Sequence, residues 1–356
     1  MTTLEQRRRE TIAHRERATC RTTAWCIVGV STASTSASIL LFRGEEFKRY
    51  DDLGAVGIVQ GLICGFAFVA LVALWLTVYG DPGVVIPDEA DDRGARTTAR
   101  LDAAVQKKLD NWTEESCSAA GESAPRRSYA DHLRACIEEA VREDAEASAL
   151  GMDRDYGGTW TKRVADDDEN GLTTTIKFCS SCKLWRPPMS SHCSTCGYCV
   201  RRFDHHCGVL GNCVGEHNHR FFLALLTSSA LMGALVFVVS AYALAKMPTG
   251  EWRREYAYVL LACSLSGAHV ATIIGFAWTH WVMFVLDFTT KAYARRAPGS
   301  SIVDVRRASA RHGSSVYARC CAVPFRLKRE AEVDFLARRR REASIFVGGD
   351  ASSMDV

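Results

Sequence analysis

The chain has 356 residues, a formal net charge of +3 and 47% apolar residues. A charge balance this even gives no sign of a nucleic-acid partner. The averages resemble those of a soluble protein, but the apolar residues are clumped, and the clumps exclude that simple class.

A basic tail opens the chain over residues 1–21, with Arg7, Arg8, Arg9, Arg15, Arg17 and Arg21. Four stretches then reach the length of a bilayer crossing, roughly 20 mostly apolar residues each. They run about Thr22 to Phe42, Gly54 to Tyr79, Phe221 to Ala245 and Tyr258 to Leu286. Buried core helices of a soluble domain are the plainer alternative, and uninterrupted apolar runs of this length disfavour it. The first stretch is the least apolar. It carries Ser31, Thr32, Ser34, Thr35, Ser36 and Ser38, small residues suited to packing against neighbouring helices. A cleaved signal peptide also has a basic start and a short apolar run. The length of this basic stretch and the cysteine usage downstream argue against export.

Lysine and arginine in the flanks set the orientation. The segment after the last span carries Lys291, Arg295, Arg296, Arg306, Arg307 and Arg311, whereas the connections near 43–53 and 246–257 are short and mixed in charge. Four spans then put both termini in the cytosol, together with the long segment from Gly80 to Arg220. In that reducing compartment cysteines serve metal binding or catalysis rather than disulfides. Asn111-Trp112-Thr113 has the form of a glycosylation acceptor, which would be silent there.

Residues 84–170 are polar and charge-mixed. Helical character is predicted over about Thr97–Asp110 and Tyr129–Leu150; in the second, Leu133, Cys136, Ile137, Ala140 and Val141 recur at helical spacing. With no chemical motif in the region, a solvated linker is the reading, and a regulatory or partner-docking insert the alternative.

Between Cys179 and Cys213 lie seven cysteines and three histidines. Cys179-x2-Cys182 and Cys193-x2-Cys196 each have the spacing of a zinc knuckle, with His192, Cys199, His206 and Cys213 close by. Aliphatic residues are few, so bound metal would supply much of the folding energy. Two tetrahedral sites take eight ligands, and ten candidates leave two over. Cys207 and His205, beside Asp204, are the pair that fits a thiolate nucleophile and its base. If Asp204-His205-His206-Cys207 is extended, His205 and Cys207 share one face while Asp204 and His206 share the other. His205 would accept the thiol proton, His206 would bind metal, and Asp204, given a local twist, would fix the imidazole tautomer. Two plainer alternatives stand beside this: Cys207 as a further zinc ligand, or a zinc module with no chemistry. A RING-like finger would close on Cys-x2-Cys, whereas Cys207 and Cys213 are six apart.

The segment CSSCKLWRPPMSSHCSTCGYCVRRFDHHCGVLGNCVGEHNHRFF resembles the cysteine-rich domain of the DHHC-type protein S-acyltransferases, or palmitoyltransferases. The likeness covers about residues 177–222. It extends to Asp81-Pro82-Gly83, similar to the family's DPG motif, and to Thr289-Thr290, similar to the start of its TTxE motif. The resemblance implies a mainly α, polytopic membrane protein. Four transmembrane helices would carry a small cytosolic zinc-binding domain of short β-hairpins between the second and third. The expected divisions are a cytosolic tail (1–21), two spans (22–79), a linker (80–176), the cysteine-rich domain (177–222), two spans (221–288) and a cytosolic tail (289–356).

By the same resemblance, Cys207 is the acyl-accepting nucleophile, His205 its base and Asp204 the residue orienting that base. Thr290 would support the Asp204–His205 pair, with Thr289 and Asp81 in supporting places. One zinc ion would take Cys179, Cys182, His192 and Cys199, and another Cys193, Cys196, His206 and Cys213. The implied reaction moves an acyl group from a fatty acyl-CoA to Cys207, then to a cysteine of a substrate protein at the cytosolic face of the bilayer. The membrane would be an endomembrane, Golgi or ER, or the plasma membrane. A cavity between the spans could hold the acyl chain. Arg201 and Arg202, with Lys183, Arg186 and Arg220, are candidates to meet coenzyme A phosphates, and lipid-headgroup anchoring is their equal alternative. The chain departs from the family pattern at Gly208-Val209, where Pro-Trp is usual, and at Ala292, where the motif has glutamate.

His269 and His280 fall inside the fourth span, where neutral, hydrogen-bonded packing is expected. Cys320-Cys321 and Cys20 are candidates for acylation themselves. Two other classes remain at this level: a zinc-stabilised membrane adaptor without catalysis, and a metal transporter or sensor, which would want more acidic residues along its spans.

Overall fold

The computed structural model describes residues 56–87, 89–118, 129–155, 158–165, 173–246, 254–296, 301–303 and 325–337. In chain order the elements begin with helices α1 (Val56–Tyr79), α2 (Glu89–Ser118), α3 (Tyr129–Glu143) and α4 (Ala145–Ala149). Strands β1 (Met152–Arg154), β2 (Trp160–Ala165), β3 (Thr173–Cys179), β4 (Leu184–Trp185), β5 (Ser191–Cys193), β6 (Tyr198–Val200), β7 (His205–Cys207) and β8 (Asn212–Val214) follow. Helices α5 (His219–Lys246), α6 (Arg254–Val285) and α7 (Thr290–Ala294) complete the order. They fall into two compact units. One takes the described residues up to Gly83 together with Arg202–Glu330; the other takes Val84–Arg201 and the described residues from Ala331.

In the first unit, α1, α5 and α6 are long and apolar enough to cross a membrane over Gly57–Tyr79, His219–Lys246 and Tyr256–Val285. At 1.5 Å per residue even α1, with 24 residues, reaches about 36 Å, longer than a hydrocarbon core of about 30 Å. Their outward faces stay apolar, with Phe68, Val238, Leu261 and Trp278 exposed, as lipid contact requires. These helices match the second, third and fourth predicted spans. The first predicted span, about Thr22 to Phe42, lies outside the described residues, as do Cys20, Cys320 and Cys321.

Hydroxyls within these helices bond back to carbonyls four residues earlier: Thr77 to Ala73, Ser228 to Ala224, Ser266 to Ala262 and Thr279 to Gly275. No hydroxyl of this set is then stranded in lipid. Between α5 and α6, Trp281 Nε1 donates to Thr227 Oγ1 at 2.8 Å, and His269 Nε2 lies 3.1 Å from Ser229 Oγ. Gly233 permits that approach, because a Cβ there would stand 2.7 Å from His269 Cδ2. At one end of α1, Ala70, Leu74 and Val78 pack with Leu210, Val214 and Phe222. Asn212 Nδ2 donates to the carbonyls of Thr77, Val78 and Gly80, and Asn218 Nδ2 to those of Thr77 and Cys213. The open carbonyls at the end of α1 thereby find donors.

In the second unit β1–β4 form an antiparallel sheet in that order, and β5–β6 a separate hairpin. The polar stretch 84–170, read above as a linker with helical parts, carries α2, α3, α4, β1 and β2. Leu101 and Val105 of α2 and Ile137 and Ala140 of α3 share a core with Trp160, Phe178 and Trp185. That core draws in β3, so the expected boundary at residue 177 falls within a strand. Asp144 caps α4 by accepting from the amides of Glu146 and Ala147, and Trp160 Nε1 donates to Asp102 at 2.8 Å. Leu101 is 1% exposed, so Leu101→Ala is expected to destabilise this unit by about 2–5 kcal/mol. Hydrogen exchange of the β2 and β3 amides checks it; unchanged protection would mean that α2 does not hold the sheet.

Candidate active site and zinc-binding groups

Two turns in the second unit are built alike. Lys183 N donates to Cys179 O at 2.7 Å, and Gly197 N to Cys193 O at 2.8 Å. Lys183 (φ 58°) and Gly197 (φ 80°) both take the left-handed conformation that closes each Cys-x2-Cys turn. In the β5–β6 hairpin His192 is directly opposite Cys199. The possible ligand atoms of Cys179, Cys182, His192 and Cys199 all lie within 4.8 Å of one another. The closeness of the three sulfurs lowers the Cys179 thiol and raises those of Cys182 and Cys199. Three sulfurs competing for one position, with an imidazole beside them, are a donor set that fits Zn2+. The other expected set divides between the units. Cys193 and Cys196 lie in the second, with Cys196 N donating to Cys193 Sγ at 3.4 Å. His206 and Cys213 lie in the first, opposite each other on β7 and β8, with Nδ1 and Sγ 3.6 Å apart. Each pair has soft donors able to hold a metal.

The tetrad is extended, and β7 puts His205 and Cys207 on the face away from His206. Asp204 stands just before the strand, its N–H donating to Val214 O at 2.9 Å. From there its Oδ2 reaches back to His205 Nδ1 at 2.7 Å. Thr290 completes the hold: its N–H donates to Oδ1 at 2.6 Å and its hydroxyl to Oδ2 at 2.8 Å. Burial disfavours the Asp204 anion, but the bond to His205, the nearby imidazoles and the Thr290 amide outweigh it and hold the carboxyl well below its ordinary range. Burial would likewise lower His205, yet its bonds to Asp204 and Cys207 raise it to about 9. Burial raises the Cys207 thiol, and the His205 bond with the Leu210 and Val209 amides brings it below its ordinary value. The result is a lowered thiol beside a raised imidazole, each shifted in part by the other.

The remaining expected residues have distinct places. Thr289 caps α7 by accepting from Ala292 N, and Ala292 packs beside Met283 and Phe288. Asp81 accepts from Gly83 N at 2.8 Å and lies 3.3 Å from His217 Nδ1, fixing the turn after α1. Arg202 is buried and ion-paired with Asp287, whereas Arg201 and Lys183 are exposed. Arg202 is thus spent within the protein rather than offered to a phosphate. Val209 is 52% exposed, and a side chain at Gly208 would meet nothing within 4 Å. The departure from Pro-Trp therefore lies on an open rim. His219 and His280 face Asp204, with His280 Nδ1 4.0 Å from Oδ2. No sequence spacing links these two histidines to the tetrad. For His280 the expectation of hydrogen-bonded packing gives way at Nδ1, which has no hydrogen-bond partner.

Residues 172–297 match the model of the DHHC palmitoyltransferase family. These residues are a domain of the DHHC-type family. Relatives of the chain include "Probable protein S-acyltransferase 3" of Arabidopsis thaliana, 46% identical over 32% of this chain and 29% of the relative. Palmitoyltransferase ZDHHC18 of Mus musculus is 33% identical over 50% of this chain and 49% of its own length. Palmitoyltransferase ERF2 of Candida glabrata is 51% identical over 20% of this chain and 22% of its own. The chain thus spans half the length of these relatives or less.

Within the DHHC-type domain, Thr290→Val removes one of two Thr290 bonds to Asp204. A hydrogen bond to a charged group contributes about 1.5–3 kcal/mol, so under the function proposed below acyl loading of Cys207 is expected to slow about tenfold or more, with Thr290→Ser near wild type. Single-turnover labelling measures this; equal rates for Val and wild type would show that the Thr290 amide alone suffices.

Proposed function

We propose that the chain is a protein S-acyltransferase, moving a fatty acyl group, palmitoyl foremost, from acyl-CoA through a thioester on Cys207 to cysteines of substrate proteins at the cytosolic membrane face. The observation that carries this is the Asp204–His205 pair, bonded at 2.7 Å, with Cys207 on the same face of β7 as His205. His205 holds the proton taken from Cys207, and Asp204 fixes the ring with Nδ1 toward itself. Cys207 Sγ attacks the thioester carbonyl carbon of acyl-CoA. The bond from that carbon to the coenzyme sulfur breaks, and the departing thiolate takes the proton from His205. An acceptor thiol then gives its proton to His205 and attacks the new thioester, and Cys207 leaves as a thiolate.

An apolar groove of about 300 Å³ in the first unit, lined by Phe66, Val69, Leu223, Leu231 and Phe284 with Arg220 beside it, supports the reading. Each buried CH2 of an acyl chain contributes about 0.8 kcal/mol. Exposed Arg201 and Lys183 are placed in this reading at the coenzyme phosphates. Two structural zinc ions belong to it, one assigned to Cys179, Cys182, His192 and Cys199, the other, by the family resemblance, to Cys193, Cys196, His206 and Cys213. Bound zinc would clamp the hairpins and would move no proton. Three described spans support a multi-pass membrane protein; the fourth span and cytosolic termini on an endomembrane or the plasma membrane are part of the proposal.

The test is incubation of the purified protein with alkyne-tagged palmitoyl-CoA and a cysteine-bearing membrane-anchored peptide. Hydroxylamine-sensitive label is expected first on the protein, then on the peptide. A protein that takes no label while retaining its zinc would overturn the reading in favour of an adaptor.

A further inference from the structure

Beside the acyl-transfer residues lies a group that the proposed reaction does not use. Asp204, His219 and His280 are 1%, 4% and 3% exposed. Their possible ligand atoms all lie within 4.8 Å of one another. His219 stands at the start of α5 and His280 near the end of α6, so two separate helices aim imidazoles at one carboxylate. Two of these nitrogens, His219 Nε2 and His280 Nδ1, are buried without a hydrogen-bond partner. The rings around them are aromatic: Phe276 packs edge-on to His280 at 4.5 Å, Phe222 at 5.1 Å, and Phe284 on His219 at 5.3 Å. These neighbours fix the rings but offer the nitrogens no lone pair and no N–H donor. Buried polar atoms left open in this way call for a ligand between them.

We propose that Asp204, His219 and His280 form a further divalent-cation site, selective for Zn2+-like ions, whose occupation silences the acyl-transfer pair. Two imidazole nitrogens and one carboxylate oxygen are the donor set of three-ligand zinc sites, with a fourth position left for water. Ligand atoms around a tetrahedral zinc stand about 3.3 Å apart, given metal–ligand bonds of about 2.0–2.1 Å. The 4.0 Å between His280 Nδ1 and Asp204 Oδ2 closes to that by small side-chain rotations. The consequence follows from Oδ2 itself, which is also the atom bound to His205 Nδ1 at 2.7 Å. A cation on Oδ2 draws its charge away from His205, so the base loses the partner that holds its tautomer. Thr290, bonded to both Asp204 oxygens, keeps the carboxylate in place for either role.

The site itself stands without the proposed function; only the silencing rests on it. The decisive readout is therefore metal content. Purified full-length protein with its tightly held zinc is titrated with Co2+ in detergent and followed by absorption and by elemental analysis. Wild type is expected to take up one further equivalent with weak visible bands and no sulfur-to-cobalt charge transfer. His280→Phe and His219→Phe, which suit the aromatic surroundings, are expected to lose that equivalent while retaining the tightly held zinc, which also reports that they fold. Excess Zn2+ is then expected to suppress acyl loading in wild type more than tenfold. No further equivalent in wild type, or one that survives both substitutions, would overturn the site and leave water as what spans the two nitrogens. Uptake of the metal by a wild type that never takes an acyl label would leave the site standing and sink the acyl-transfer reading instead.

Discussion

Cys207→Ser is expected to reduce hydroxylamine-sensitive acylation to background, with zinc content unchanged. The serine hydroxyl is smaller than the thiol and fits its place, but its proton leaves far less readily than that of a thiol already lowered by His205 and by the Leu210 and Val209 amides. Any ester formed on serine would resist hydroxylamine at neutral pH, so the chemistry of release separates the two. Cys207 is no member of the Cys179, Cys182, His192 and Cys199 group, and on β7 it lies on the opposite face from His206. Metal content is thus the control: a serine variant that loses zinc would show that Cys207 is a ligand, the alternative weighed from the sequence. His205→Ala tests the same step from the base and is expected to cost about 10²–10⁴-fold.

Cys182→Ala is expected to remove about one zinc per chain and acyl loading with it. Cys182 is fully buried, and its sulfur lies 3.3 Å from His192 Nδ1. Three donors with a void on the fourth side hold zinc far more weakly, and structural zinc supplies about 10–16 kcal/mol to small zinc-dependent folds. The loss should be local. Hydrogen exchange should rise in the β5–β6 hairpin and the turn after β3, while α2 and α3 keep their protection, because Leu101, Val105 and Ile137 are buried among apolar partners. A variant that retained both its zinc and its activity would sink the ligand assignment.

How far the sequence reaches depends on how local each signal is. The spans were legible because lipid demands uninterrupted apolar runs: Gly54–Tyr79 was expected where α1 covers Val56–Tyr79, and Tyr258–Leu286 where α6 covers Arg254–Val285. The alternation of His205 and Cys207 against His206 was legible because a strand has a period of two. The helices expected over Thr97–Asp110 and Tyr129–Leu150 were legible from their spacing, but the core that joins them to the β1–β4 sheet was not. Its core residues Leu101 and Val105 are scattered among charges, and the aromatic rings that cover them, Phe178 and Trp185, come from strands far along the chain. Nor could spacing pair Arg202 with Asp287, or bring His219 and His280 to Asp204. Those meetings depend on how α5, α6 and β7 pack, which no local pattern records.

The Thr290 hold on Asp204 also sets an order of events during synthesis. Thr290 follows α6, 86 positions after the carboxylate it supports. While the ribosome is still making α6, Cys207 and His205 already exist, but the carboxylate that aligns them has no fastening. The nascent chain therefore carries Asp204 without its Thr290 bonds through its own insertion, and that fastening arrives only when α6 has been made and packed. Under the proposed function, competence for transfer would in this way report that α1, α5 and α6 have been made and packed.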